Sequence, residues 1–132
     1  MSTNLVDDIV VMHEKYGVYD KIEQFDKEKL KTFFKFRVSF LEEELSELKT
    51  AKNADDAVDA LIDLCVVAIG TLDLFDVDVH LAWNRVHHAN MNKEVGIKAS
   101  RPNELGLPDL VKPKDWVAPN HSDNIGFLES VF

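Results

Sequence analysis

Several features that mark other classes of protein are scarce in this sequence. Its single cysteine, Cys65, excludes an internal disulfide and agrees with a reducing compartment. The longest apolar run, Leu64–Ile69, is far below the roughly 18 residues that a membrane-spanning helix needs. Residues 1–8 contain no basic stretch followed by an apolar one, so no signal peptide is predicted. We therefore expect a cytoplasmic protein without a membrane segment.

Basic residues are also few relative to acidic ones. The chain has 15 Lys and Arg residues against 24 Asp and Glu residues, for a formal net charge of −9. Proteins that bind nucleic-acid polymers or anionic membranes carry the opposite balance, because phosphate neutralisation supplies their affinity. Neither partner is expected here. The acidic surface either serves solubility or holds a cation that can receive a phosphorylated small molecule.

Proline is missing from the first two thirds of the chain, where the apolar residues follow a helical period. The 132 residues predict a single all-α domain, with core helices over about 3–96 and a tail over 97–132. No strand is predicted. We expect an antiparallel four-helix-type bundle with a Pro-punctuated C-terminal tail that carries one short helix near its end. The first two predicted helices are Thr3–Tyr16 and Asp26–Ala51. The third begins at Asn53 or Asp55 and reaches about Leu74, and the fourth runs over Val79–Glu94 and is ended by Gly96.

The second predicted helix carries an acidic cluster. At about 100° per residue, Glu43, Glu44 and Glu47 project within one sector, whereas Glu42 points away. Such a face is either a solvated acidic surface or a set of ligands for a cation. The sequence of this helix alone does not separate the two interpretations.

The third predicted helix favours the cation. It is apolar on almost every side, so it should be the most buried element, with Cys65 in the core. Asp63 lies within this apolar stretch, one turn after Asp59, and an isolated carboxylate there would cost several kcal/mol. No Lys or Arg occurs between Asn53 and Asn84. Asp63 must therefore be paired, protonated or bound to a metal.

Placed side by side, the two helices would bring four or five carboxylates together. A site made only of oxygen ligands suits Mg²⁺ or Mn²⁺ and not Zn²⁺. Carboxylate-bound Mg²⁺ usually completes its shell with waters and substrate phosphates, so the implied substrate is a di- or triphosphate compound.

The fourth predicted helix adds polar groups of another kind. Val79, Trp83 and Val86 form an apolar stripe that also contains Asn90, with Lys93 one turn further on. An amide and an ammonium that emerge together can bind phosphate oxygens. Alternatively, Lys93 is an ordinary surface residue favoured by the helix dipole.

These elements together resemble a known family, the MazG-like all-α nucleoside triphosphate pyrophosphohydrolases. The segment 43–47, EELSE, is similar to their EExxE motif, and 59–63, DALID, resembles their second acidic motif. The segment 88–93, HANMNK, is similar to their Asn-x-x-Lys element, and 112–119, KPKDWVAP, resembles the closing segment of phage-type and bacterial members. One departure is Ala60, where many members have Glu. It leaves open whether Asp56 or Asp59 joins Asp63.

The resemblance implies the hydrolysis of nucleoside or deoxynucleoside triphosphates to a monophosphate and pyrophosphate. It implies a homodimer or homotetramer and Mg²⁺, with Mn²⁺ as a substitute. The implied roles are metal binding by Glu44, Glu47, Asp59 and Asp63, water activation by Glu43, phosphate binding by Asn90 and Lys93, and covering of the base by Trp116. Two alternatives are a hydrolase of another pyrophosphate compound (a modified nucleotide, an alarmone or phosphoribosyl-ATP) and a non-enzymatic, metal-stabilised helical interaction module.

Overall fold

The computed structural model describes residues 4–101 and 104–132, which contain five α-helices, two short strands and a 3-10 helix. The described residues form two compact units, one made of 4–79 with Asn124–Phe132 and the other of His80–Asp123. The elements in chain order are α1 (Leu5–Lys15), α2 (Val18–Glu23), α3 (Lys27–Lys49), α4 (Ala54–Leu74), α5 (Val79–Met91), β1 (Glu94–Gly96), β2 (Asp109–Val111) and the 3-10 helix (Gly126–Ser130).

Short polar side chains fix where the helices of the first unit begin. Asn4 caps α1, Asp26 caps α3 and Asn53 caps α4, each accepting hydrogen bonds from backbone N–H groups of the first turn. The predicted caps Asp26 and Asn53 are confirmed. Thr3, where the first helix was predicted to begin, lies outside the described residues. Helix α2 was not predicted, although the predicted stop at Gly17 separates it from α1 with a positive φ of 65°.

The core of the first unit forms where α2, α3 and the end of α4 meet. Its buried members are Ile22, Leu30, Leu74 and the fully buried Phe75. The 3-10 helix near the C-terminus packs on this core, and the N–H of Phe127 donates to the carbonyl oxygen of Phe75 at 2.8 Å. The predicted short helix near the end of the chain is therefore confirmed as a 3-10 turn.

Polar side chains tie α4 to the helices around it. The guanidinium of Arg37 on α3 donates to the Thr71 hydroxyl at 2.9 Å and to the Val67 carbonyl at 3.0 Å. On α4, Asp73 accepts from the Tyr19 hydroxyl at 2.5 Å and lies 2.6 Å from the Nδ1 atom of the buried His13. These contacts fix the register of α4 against α1, α2 and α3.

Helix α4 has more buried residues than the other described helices, as predicted, but its face opposite Val67 is exposed, and the prediction that Cys65 lies in the core is wrong. Val58, Leu61 and Ile62 are 63%, 51% and 57% exposed, and Cys65 is exposed and not a core residue. The spacing of these four residues places them on one stripe of the helix. Among the described residues, no helix is long and apolar enough to cross a membrane.

The second unit contains the part of the chain that the sequence predicted least well. Helix α5 ends at Met91, and Gly96 lies in β1 instead of ending a helix. Strands β1 and β2 pair antiparallel, with Glu94 opposite Val111 and Gly96 opposite Asp109. The prediction of no strand is therefore wrong. The predicted helical class is confirmed in broad terms, whereas the four-helix arrangement stays a prediction.

Candidate functional site

The first unit brings three acidic side chains together between α3 and α4. Leu30, Arg37 and Glu44 follow one another at intervals of seven residues, which puts them on nearly the same face of α3. Glu44 is buried, with only 7% of its surface exposed. Asp63 lies one turn before the buried Val67 of α4, and it is itself half-buried. Helix packing, and not chance proximity on a surface, positions these carboxylates.

The cluster consists of Glu44, Glu47 and Asp63. One carboxylate oxygen from each residue lies within 4.8 Å of the corresponding oxygen of the other two. Glu47 is exposed and forms the open side of the cluster. The sequence predicted these three among its ligands and placed Asp63 in an apolar stretch. In the structure Asp63 is half-buried, and Glu44 is the more buried carboxylate.

Glu44 has no partner for one of its oxygens. Its Oε2 atom is buried and makes no hydrogen bond with the described residues. Burial raises the pKa of Glu44, and the negative charges of Glu47 and Asp63, a hydrogen bond with Glu47 and the charge of Glu43 raise this pKa further. Buried polar groups are nearly always paired in folded proteins, so this oxygen needs a partner that the described residues do not supply.

A divalent cation fits this arrangement. The donors are all carboxylate oxygens, which hard cations such as Mg²⁺ and Mn²⁺ prefer. A cation would pair with the free Oε2 atom and offset the repulsion among the three charges. The half-open cluster leaves room for waters or phosphate oxygens in the remaining coordination positions.

Two acidic residues that the sequence assigned to the site lie outside this group. Asp59 is exposed and lines a cavity of about 360 Å³ with Glu47 and Asp56. Glu43 is exposed on α3, where its charge acts on Glu44. The structure therefore does not separate Asp56 from Asp59, and the metal-binding role of Asp59 stays a prediction.

The second unit contains the three predicted substrate-binding residues. Asn90 is exposed on α5, and the ammonium nitrogen of Lys93 lies 5.3 Å from the centre of the Trp116 ring. Of the apolar stripe predicted for α5, Val79 is buried, whereas Trp83 is 70% exposed and Val86 is also exposed. Ala89 is buried as well.

Sequence reasoning missed Lys112 as a member of this group. Its ammonium nitrogen lies 5.1 Å from the centre of the same Trp116 ring. The residue opens the segment 112–119, but no sequence pattern places it beside Lys93. The register of the β1–β2 pair would have placed Lys112 opposite Lys93. Strands of three residues are too short for their register to be predicted from the sequence.

A cavity of about 920 Å³ lies next to Trp116 within the second unit. One face of α5, including Arg85 and His88, forms one wall, and residues of the segment 113–123 form the other. Arg85 donates to both carboxylate oxygens of Asp123, at 2.5 and 2.9 Å, and to the carbonyl of Asn120 at 3.1 Å. This volume lies in the range of small-molecule sites.

Comparison with known proteins agrees with this geometry. No curated protein and no solved structure matches the chain. A profile of the family described as phosphoribosyl-ATP pyrophosphohydrolase matches residues 18–90, which include the whole acidic cluster and Asn90. The match spans more than half of the chain, so the chain belongs to the phosphoribosyl-ATP pyrophosphohydrolase family of hydrolases and, through it, to the MazG-like all-α pyrophosphohydrolase superfamily.

Proposed function

We propose that the protein hydrolyses nucleoside or deoxynucleoside triphosphates to a monophosphate and pyrophosphate, with Mg²⁺ as the cofactor. The observation that carries this proposal is the buried, unpartnered Oε2 atom of Glu44 among the oxygens of Glu47 and Asp63. A buried cluster of like charges is costly unless a cation compensates it. Hard cations held by carboxylates commonly take phosphate oxygens as further ligands, which supports a polyphosphate substrate.

Glu44, Glu47 and Asp63 would hold the metal, with Asp59 as a further candidate on the exposed side. When bound, Mg²⁺ supplies neutralisation of the charge that develops on the phosphates and lowers the pKa of water. The packing of α3 on α4 also holds the buried Glu44 in place. This rigidity is what a preorganised site requires.

Glu43 is the group proposed to take a proton from the attacking water. The water oxygen forms a bond to the α-phosphorus while the bond from that phosphorus to the bridging oxygen breaks. Pyrophosphate leaves with the bridging oxygen, and one water proton passes to Glu43. Glu43 suits this role because it is exposed and ionisable beside Glu44 without belonging to the three-carboxylate cluster.

Asn90 and Lys93 are proposed to bind phosphate oxygens. Their donors are an amide and an ammonium, and hydrogen bonds from an ammonium to phosphate are charge-assisted. Among the described residues, Lys93 has no ion pair and the side-chain amide of Asn90 has no hydrogen bond. Both groups are therefore available for an anionic ligand.

The second candidate substrate is phosphoribosyl-ATP, which the family match favours. Its hydrolysis releases pyrophosphate, so the same carboxylates and the same cation would serve. The two candidates differ in what surrounds the base, and the acidic cluster does not discriminate between them.

We also propose that the protein is a homodimer or homotetramer. The stripe of α4 formed by Val58, Leu61, Ile62 and Cys65 is exposed on the isolated chain. Contiguous exposed apolar surface of this kind usually marks a contact with another protein. A second copy of the chain could cover this stripe with its own copy of the stripe, and no further apolar surface would then be left exposed.

The test is a panel of nucleoside triphosphates, deoxynucleoside triphosphates and phosphoribosyl-ATP, assayed for pyrophosphate release with and without Mg²⁺. Glu47→Gln and Asp63→Asn keep the side-chain shape but remove a ligand charge. Each should lower activity at least about a hundredfold while the helical circular dichroism is kept, as for other groups at a reacting centre. Glu42→Gln, on the exposed side of the same helix, is the matched control and should keep full activity.

Retained turnover in both cluster variants would overturn the assignment of the site. A wild-type protein that hydrolyses none of these compounds, but whose Tm still rises with Mg²⁺, would instead favour a metal-stabilised interaction module.

A further inference from the structure

Two lysines of the second unit share one aromatic ring. The ammonium nitrogens of Lys93 and Lys112 lie 5.3 and 5.1 Å from the centre of the Trp116 ring. Both distances are within the range of a cation–π contact, for which tryptophan is the best ring. The two residues are far apart in sequence, so the fold has to bring them together.

The β1–β2 pair does so through its register. Glu94 lies opposite Val111, and continuing the pairing by one position places Lys93 opposite Lys112. Like charges directly opposite each other on paired strands are destabilising. The repulsion between the two paired lysines therefore has to be offset by another group. The face of the Trp116 ring supplies part of this compensation.

Neither ammonium is neutralised by a carboxylate. Within the described residues, no Asp or Glu oxygen lies within 4 Å of Lys93 or Lys112. Two other cations of this unit are paired, Arg85 with Asp123 and Arg101 with Asp109. The unit has six Lys and Arg residues against five Asp and Glu residues, in a chain whose net charge is −9. The unpaired cations thus lie in the part of the chain where an anion meets the least repulsion.

Trp116 is itself held in place. Its indole N–H donates to the carbonyl oxygen of Ala89 at 2.7 Å, and Ala89 is buried on α5. An ammonium over the ring also takes the position that a stacked base would need. The indole thereby acts as a support for the lysines, and the covering of the base by Trp116 stays a prediction.

We propose that Lys93 and Lys112 form a cation pair that binds adjacent phosphate groups of the polyphosphate substrate, with Trp116 as their positioning residue. The contact with the π-face leaves ammonium N–H donors free, since each lysine has three. Two ammonium groups over one ring match a ligand with several neighbouring negative oxygens better than a single carboxylate. The inference deepens the proposed function and rests on it for the identity of the substrate.

The experiment measures binding separately from turnover. The probe is inorganic tripolyphosphate, titrated by calorimetry without divalent metal. The chain has two tryptophans, so a Trp83→Phe background makes Trp116 the only indole and its fluorescence a local report of binding. Tripolyphosphate should change that fluorescence.

Lys112→Gln should weaken tripolyphosphate binding about tenfold or more, since hydrogen bonds between an ammonium and phosphate are charge-assisted. Lys112→Arg should recover part of the loss. Lys114→Gln is the matched control because it removes the same charge two residues away, from an exposed lysine that is not one of the two ammonium groups over the Trp116 ring. It should change the binding constant by less than about twofold, as an exposed charge does.

The role of Trp116 has its own variants. Trp116→Leu removes the π-face and should weaken tripolyphosphate binding, whereas Trp116→Phe keeps a ring and should restore part of it. In a turnover assay, Lys112→Gln should raise KM with a smaller effect on kcat. A purely structural role of the ring would give equal losses in the Phe and Leu variants, and that result would overturn the positioning role.

Loss of tripolyphosphate binding in Lys112→Gln but not in Lys114→Gln supports the cation pair, whether or not any nucleotide is hydrolysed. Equal weakening in these two variants would overturn the pair even if the wild type is an active hydrolase. The binding measurement thus tests the cation pair, and the turnover assay tests the proposed hydrolysis, so either proposal can fail without the other.

Discussion

Glu44 is the residue whose surroundings are hardest to explain without a ligand. It is one of two polar or charged residues that are buried within the described chain, and the other, His13, has a carboxylate partner in Asp73. Glu44 instead has further carboxylates beside it. A group of this kind normally destabilises the fold, and this cost supports the functional role that we propose for Glu44.

The first prediction concerns Glu44→Gln in metal-free protein. The substitution removes a buried charge and its repulsion with Glu47 and Asp63, so the Tm should rise by a few degrees. The shift in Tm caused by Mg²⁺ should be lost at the same time, because the ligand is gone. Thermal unfolding followed by circular dichroism, with EDTA and with Mg²⁺, measures both effects.

Glu42→Gln is the control for this experiment, because it removes one charge from the exposed side of α3. It should leave both the metal-free Tm and the Mg²⁺ shift near those of the wild type. A Glu44→Gln protein that keeps the full Mg²⁺ shift would show that Glu44 does not bind the ion.

The second prediction follows from the direction of the Glu44 pKa, which is raised by burial and by its acidic neighbours. The folded protein holds this proton to a higher pH than the unfolded chain does. The contribution of Glu44 is therefore most favourable below the ordinary Glu pKa and is lost as the pH rises through the raised value. In metal-free protein, the contribution of Glu44 to the free energy of unfolding, measured with urea, should decrease as the pH rises through this range. The Glu44→Gln protein should lack this decrease. Identical pH profiles for the two proteins would contradict the assignment.

At the scale of elements, the C-terminal 3-10 helix closes the first unit through a very tight contact. Gly126 has a φ of 52°, and a Cβ atom there would lie 1.9 Å from the carbonyl oxygen of Phe75. The neighbouring Phe127 N–H donates to that same carbonyl. The segment thus packs against backbone, which cannot move aside as a flexible side chain can.

The third prediction is that Gly126→Ala lowers the free energy of unfolding by about 3 kcal/mol or more, from the positive φ and the overpacking together. Gly17→Ala is the matched control. Gly17 has a φ of 65° but no atom within 4 Å of a built Cβ. It should cost only about 1–2 kcal/mol for the left-handed conformation. Urea unfolding measures both, and equal losses would mean that the contact with Phe75 is relaxed in solution.

The elements also show what sequence reasoning can reach. The starts of α3 and α4 were predictable because each has a short polar cap followed by a helical period. The approach of Glu44, Glu47 and Asp63 followed from placing two such helices side by side. The β1–β2 pair was not predictable, because three-residue strands carry no readable alternation and their pairing joins residues far apart in sequence. Lys112 was missed for the same reason.

Burial was predicted less well than position. The apolar sequence of α4 correctly predicted that this helix carries buried residues. On the isolated chain, however, the side with Ile62 and Cys65 is exposed. Sequence periodicity does not distinguish residues covered by their own chain from residues covered by a second one.

At the scale of the whole molecule, the exposed stripe of α4 leads to the last prediction. The wild type should have the mass of a dimer or tetramer in light scattering coupled to size exclusion. Ile62→Lys places a charge in the middle of the stripe and should shift the protein towards the monomer, since burying an unpaired ammonium in an apolar contact is costly.

Val11→Lys is the matched control, because Val11 is exposed to a similar degree on α1, outside the stripe. It should leave the mass unchanged. The Ile62→Lys monomer should keep its helical circular dichroism, because the core around Phe75 lies elsewhere on the first unit. A monomeric wild type, or an Ile62→Lys protein of unchanged mass, would show that the stripe is not the contact between copies of this chain.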